Sequence, residues 1–238
     1  MRFGNWNIAL IRIAGGVAVA VAAVLVSAGC GGGSKSATPT ATARASGSST
    51  AATVQVTATA QALKSSGAKV TLATFEDFQC PFCLQYTTQI EPTLIKEYVN
   101  TGKINYEYHN YAILGAESTK AAIAAYCAGQ QDQFWKFHDL LFQAELSAGQ
   151  LQGEKLNAGR FTDATLAGYA AQAGLDTTKF AACYTSPGAQ QAVQADGALA
   201  TSLKLQGTPT FTLNGKVINT PSSIGGWRKL LDDALAGQ

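Results

Sequence analysis

Residues 70–83, VTLATFEDFQCPFC, constrain the chain more than any other stretch: an apolar, β-branched run stops at a Cys-Pro-Phe-Cys tetrapeptide. The run reads as a strand. Pro81 favours a helix that starts directly after Cys80, because proline suits the first helical turn, where its missing N–H would be unpaired anyway. A strand that hands two cysteines to a helix N-terminus builds a redox-active dithiol, since the free N–H groups and partial positive charge there stabilise a thiolate. Cys80 is expected to be the exposed, reactive sulfur and Cys83, one turn in, its resolving partner. Residues three apart share a helix face, which brings the two sulfurs within bonding reach. A CxxC pair alone is a weak signal, because zinc sites and structural bridges use it too.

The 238 residues, 47% hydrophobic, suffice for one medium domain with accessories. Residues 1–29 carry Arg2 and Arg12, no acid, and an apolar run at 13–26, which together read as a secretion signal. Val26-Ser27-Ala28-Gly29-Cys30 resembles a lipobox, where a bacterial signal peptidase cuts before a cysteine that then carries diacylglyceryl; Ser27 stands where leucine is usual. The alternative is an uncleaved transmembrane anchor over residues 8–28, interrupted by Arg12. Either reading places the domain outside the cytoplasm, at the outer face of the membrane, in an oxidising setting. Residues 30–67 shift to Gly, Ser, Thr and Ala and read as a flexible tether, although TVQVT at 53–57 alternates well enough for a short strand.

Charge excludes one class of function. The chain has 17 basic and 15 acidic residues, and loss of the two leader arginines brings them level. A mature domain near neutrality has no electrostatic basis for nucleic-acid binding. The domain proper, 68–238, is expected to continue from the dithiol with a helix to about residue 100, kinked at Pro92. An alternating strand follows at 103–110. Helices are then expected at 118–129, 132–143, 162–173, 177–184 and 189–205. Strands at 210–213 and 216–218 flank Asn214-Gly215, a two-residue hairpin signal, and a last helix covers 222–235. The pattern implies an α/β fold with an antiparallel edge.

Three motifs in order, DFQCPFC, QFWKFHDLLF (133–142) and LQGTPTFTLNG (205–215), resemble the thioredoxin superfamily and, within it, the DsbA-like thiol:disulfide oxidoreductases. The resemblance runs from about residue 68 to the C-terminus. It implies a thioredoxin-like fold with a helical insertion, about 113–205, between the second strand and a cis-proline turn. It further implies that Pro209 is cis and lies beside the dithiol, so that the Thr208 backbone can pair with a bound peptide. An ordinary trans turn before the strand is the plain alternative. Phe82 stands where some relatives have histidine, so the disulfide is expected to be less oxidising than theirs. It could also serve as an apolar contact for unfolded clients.

Of the five cysteines, Cys30 is assigned to lipid and Cys80 with Cys83 to redox, which leaves Cys127 and Cys183. Leftover cysteines in an exported protein most often bond to each other, and some DsbA-like proteins carry a second, structural disulfide in the insertion. Two buried free thiols are the competing reading. A bridge would close a long loop and stabilise the fold by on the order of 4 kcal/mol.

Many relatives also bury an acid six positions before the first cysteine; here that residue is Thr74. Glu76 shares its strand face and could replace the missing acid as a proton relay, or Glu76 or Asp77 could be a solvated or cap-like carboxylate at the strand's end. His138 reads as a packed or hydrogen-bonded structural histidine, and Trp135 and Trp227 as packing residues; His109, at the end of the second strand, stays open between a structural and a catalytic reading.

The resemblance implies disulfide donation. A thiolate of a newly exported protein attacks Cys80, and a second client thiolate resolves the mixed disulfide. A membrane quinone-linked oxidase of the DsbB or vitamin-K-epoxide-reductase-like type then restores the bridge. No cofactor beyond the redox disulfide is expected, and no metal. The same site could instead run as a reductase or isomerase, or CPFC could handle a metal, though the two histidines are not at ligand-like spacing.

Overall fold

The computed structural model describes residues 56–59 and 61–237. Strand β3 (Val70–Glu76) is buried at every position except Thr71, as a strand covered on both faces must be. Its neighbours are β4 (Ile104–Asn110), parallel, from Val70↔Ile104 to Glu76↔Asn110, and β5 (Thr210–Leu213), antiparallel. The full sheet runs β1-β2-β4-β3-β5-β6, with β1 Val56–Thr59, β2 Ala62–Ser65 and β6 Lys216–Val217. Asn214 and Gly215 both take positive φ between β5 and β6, as a type I′ hairpin requires.

One boundary is corrected. The expected tether to residue 67 ends earlier, because β1 and β2 form an antiparallel hairpin that adds to β4 at Ala62↔Glu107 and Leu63↔Tyr106. Gln61 extends the pairing through both its backbone and its side chain to Tyr108. VTAT and ALKS are too short and too poor in large apolar residues to announce themselves. The free edge of β4 supplies their hydrogen bonds. The secretion signal, the lipobox with Cys30 and residues 31–55 lie outside the described residues.

Helix α1 (Pro81–Gln89) stops at Ile90, and α2 (Glu91–Leu94) restarts with Pro92 in its first turn. A π-helical turn, Ile95–Val99, closes the segment with Asn100 N donating to the Ile95 carbonyl. Proline thus interrupts the helix where expected, but as the start of a new turn rather than as a mid-helix kink.

The insertion comprises α3 (Ala116–Gly129), α4 (Phe134–Ser147), α5 (Asp163–Ala173), α6 (Thr177–Tyr184) and α7 (Pro187–Ser202), and α8 (Ile224–Ala236) ends the chain. Thr162, Asp176, Ser186 and Ser223 cap α5, α6, α7 and α8 through side-chain oxygens.

Alternation along β3 divides the core. Val70 and Leu72 join Tyr106, Phe211, Trp227 and Leu231 on one face, while Ala73 and Phe75 meet Ala200 and Leu205 on the other. The helical insertion packs a third cluster onto the dithiol end, from Phe78 and Leu84 through Phe134, Phe137 and Phe142.

Candidate active site

Strand β3 points Glu76 into the interior and ends. Asp77 then organises the turn toward the cysteines: its carboxylate accepts from Gln79 N (2.8 Å), Ile113 N (2.8 Å), Leu114 N (2.9 Å) and the Ser118 hydroxyl (2.6 Å). Asp77 is therefore the cap-like carboxylate, but buried rather than solvated. Burial raises its pKa against the pull of those bonds. Gln79 adds a second tie, donating to Ser118 and accepting at its own carbonyl from Gln150 (2.7 Å). Sequence reasoning missed Gln79, Ser118 and Gln150, because their partners lie 39 to 71 residues away along the chain.

Cys80 caps α1 with extended backbone, Pro81 takes the first helical position, and Cys83 lies inside the first turn. Both are free thiols. Cys80 is only 4% exposed, not the open sulfur expected, because the 207–209 segment crosses it. Its thiol donates to the Thr208 carbonyl at 3.2 Å. The Thr208-Pro209 peptide bond is cis.

The two sulfurs differ sharply in acidity. A hydrogen bond from the Cys83 thiol, opposed by burial and helped by Thr208 and the backbone N–H groups of Cys83 and Phe82, lowers the Cys80 pKa to about 7. Burial, then Cys80 and the charge of Glu76, push the Cys83 thiol well up. The outer sulfur ionises readily near neutral pH and the inner one holds its proton.

Glu76 lies beneath this pair, 1% exposed. Thr74, at the position where relatives carry the acid, donates to Glu76 Oε1 at 2.7 Å, and Thr87 of α1 donates to Oε2 at 3.4 Å. Burial raises the Glu76 pKa to about 8, with the hydrogen bond from Thr74 opposing and the charge of Cys80 adding. Glu76 also interacts with the Cys83 thiol.

Phe82, 66% exposed, stands between two surface grooves. One, about 410 Å³, runs past Tyr86, Thr208, Pro209, Phe211 and Trp227; the other, about 470 Å³, is walled by glutamines 85, 89, 150 and 152. Cys127 and Cys183 form a disulfide between α3 and α6, 56 residues apart in the chain, while Cys80 and Cys83 are free. His138 is fully buried among Phe78, Tyr108, Phe134 and Phe142, and His109 stacks on Phe75 and bonds Asp196. Trp227 packs on Tyr86 and Phe211, and Trp135 on Tyr106 and Phe134.

The thioredoxin family profile matches residues 58–233, almost the whole described region. This chain belongs to the thioredoxin family. Among its relatives, a probable disulfide bond formation protein D from Bacillus anthracis is 28% identical, covering 67% of this chain and 71% of that protein. Disulfide bond formation protein D from Bacillus subtilis is 26% identical over 74% of this chain and 77% of its own length. The crystal structure of oxidised BdbD from Bacillus subtilis superposes with a TM-score of 0.65 at 24% identity, covering 78% of this chain and 98% of that one, and shares its fold. Within the thioredoxin family the chain is thus DsbA-like, with its helical insertion between β4 and β5. Among the described residues no helix is long and apolar enough to cross a membrane.

Proposed function

We propose that this DsbA-like oxidoreductase acts outside the cytoplasm and donates the Cys80–Cys83 disulfide to thiols of newly exported, incompletely folded proteins. The opposed acidities of the two sulfurs carry this reading. A client thiolate attacks Cys80 Sγ, the Cys80–Cys83 bond breaks, and Cys83 leaves and is protonated by Glu76. A second client thiolate then attacks the client's own sulfur in the mixed disulfide. Cys80 departs as a thiolate, which its lowered pKa favours. Two electrons pass to the enzyme and one disulfide to the client.

The Thr208 carbonyl, within hydrogen-bond reach of Cys80, supports a peptide paired along that edge. Phe82 offers it an apolar contact. A membrane quinone-linked oxidase, DsbB-like or of the vitamin-K-epoxide-reductase-like type, would restore the bridge. Lipid on Cys30 would hold the domain near it at the outer face of the membrane.

The test is a redox titration of the pair against glutathione combined with oxidative refolding of a reduced, cysteine-containing protein. A potential in the oxidising range with rapid client oxidation, lost in Cys80→Ala, is expected. A strongly reducing potential, or unchanged client oxidation by Cys80→Ala, would overturn the reading. Detergent partitioning of wild type against Cys30→Ala tests the anchor; equal partitioning would remove it.

A further inference from the structure

Closing the disulfide from a mixed disulfide on Cys80 requires that the Cys83 thiol lose its proton, and Glu76, the carboxylate that interacts with that thiol among the described residues, is itself mostly protonated at neutral pH. Burial holds Glu76 far above the usual carboxylate range, to about 8 in the free dithiol, so its carboxyl keeps its proton at neutral pH. Each closure therefore begins with a proton leaving Glu76. The partner on Cys80 occupies the sulfur side, so the proton has to leave by another way.

Two hydroxyls touch the carboxylate. Thr74 is fully buried and leads nowhere else. Thr87, 8% exposed, lies on the flank of α1 that faces α4 and lines a cavity of about 600 Å³. No residue of that cavity lines the groove at Thr208 and Pro209. The cavity opens between α1, α2 and α4, with Glu91, Trp135 and Asp139 among its walls. Glu91, one turn beyond Thr87, is held by the Tyr106 hydroxyl at 2.9 Å.

We infer that the Thr87 hydroxyl is the proton exit of the site, passing the proton of Glu76 into this cavity while a client or oxidase covers the dithiol. The inference rests on Cys80 and Cys83 exchanging disulfides. The step balances: Cys83 thiol plus the Cys80–S–S–R bond gives the Cys80–Cys83 bond, an R thiolate and one proton, which leaves through Glu76 and Thr87. The groups acting on Glu76 are Cys80, Cys83 and Tyr86 of α1, Glu91 of α2, and Tyr106 and Tyr108 of β4. Thr87 is a positioning residue for proton transfer, because it touches neither sulfur nor client.

The experiment uses the protein with glutathione on Cys80 and follows first-order closure from pH 5.5 to 9.5, in water and in deuterium oxide, for wild type, Thr87→Val and Thr87→Ser. Thr87→Val is expected to slow closure by about tenfold with the glutathione equilibrium constant unchanged. The slowing is expected below about pH 8, with the inflection of the profile unmoved and an enlarged solvent isotope effect, and to fade where the Glu76 carboxylate is already free; Thr87→Ser restores the rate. Closure by Thr87→Val within twofold of wild type overturns the inference. So does a deficit of equal size above about pH 9, where no proton has to leave Glu76 first, an inflection displaced from that of wild type, which would mean a shifted Glu76 pKa, or a deficit that serine fails to rescue. If wild type itself does not close, the exchange reading of Cys80 and Cys83 has failed, and with it this inference.

Discussion

Cys80 and Cys83 share one turn of helix, yet their sulfurs are driven in opposite directions because one accepts a hydrogen bond from the other's thiol, with the helix-end N–H groups adding, while the other is walled in. Glu76 joins them as a third titrating group. The residue that replaces the usual acid, Thr74, does not leave its place empty: it hands a hydrogen bond to the carboxylate two positions on, which strand alternation puts on the same face. Alkylation of Cys80 as a function of pH is expected to show two steps in the wild type, near 7 and near 8, the second reporting Glu76. Glu76→Gln is expected to leave a single step. Identical profiles would separate Glu76 from the dithiol.

At the scale of elements, the active-site turn is held from two sides. Asp77 and Gln79 tie it to the start of α3 and to the loop after α4, while the 207–209 segment before β5 covers it from the other direction. The β1–β2 hairpin matters differently: it covers the edge of β4, and Leu63 reaches both the sheet core and the cavity beside Thr87. A chain beginning at Gly67 loses that cover and exposes paired backbone on β4. Its thermal midpoint is expected to fall by several degrees, about 2–4 °C for each kcal/mol lost at this size, with a rise in aggregation. A midpoint equal to that of the full chain would show the hairpin to be dispensable.

Over the whole molecule, stability depends on a covalent link and on buried charge. The Cys127–Cys183 bridge joins positions 56 residues apart, and replacing both by alanine is expected to cost on the order of 4 kcal/mol in denaturant unfolding. Redox exchange at Cys80 should survive under native conditions. Glu76 and Glu91 are raised to about 8 and about 7 from an ordinary 4.5. Between 4.5 and those values the folded protein keeps protons that the unfolded chain has lost, so stability of the reduced protein falls as pH rises. The fall levels off above about 8 and amounts to a few kcal/mol at order of magnitude. The lowered pKa of Cys80 opposes it only from about 7 upward. Urea unfolding at pH 5 and pH 7 is expected to show the loss, reduced in Glu76→Gln; a flat profile would mean that both carboxylates ionise freely in the fold.

The dithiol, its helix, the β5–β6 hairpin and the helical insertion were legible in the sequence because each is written locally: proline after Cys80, Asn-Gly between two strands, apolar spacing along the helices. The pairing of Cys127 with Cys183 was one of two readings until the fold set α3 beside α6. The hairpin at residues 56–65, the burial of Cys80 beneath Thr208, the burial of Glu76 under the dithiol, and the cavity at Thr87 came only with tertiary structure. Each depends on which distant segment supplies a hydrogen bond or excludes water, and local sequence carries no record of that.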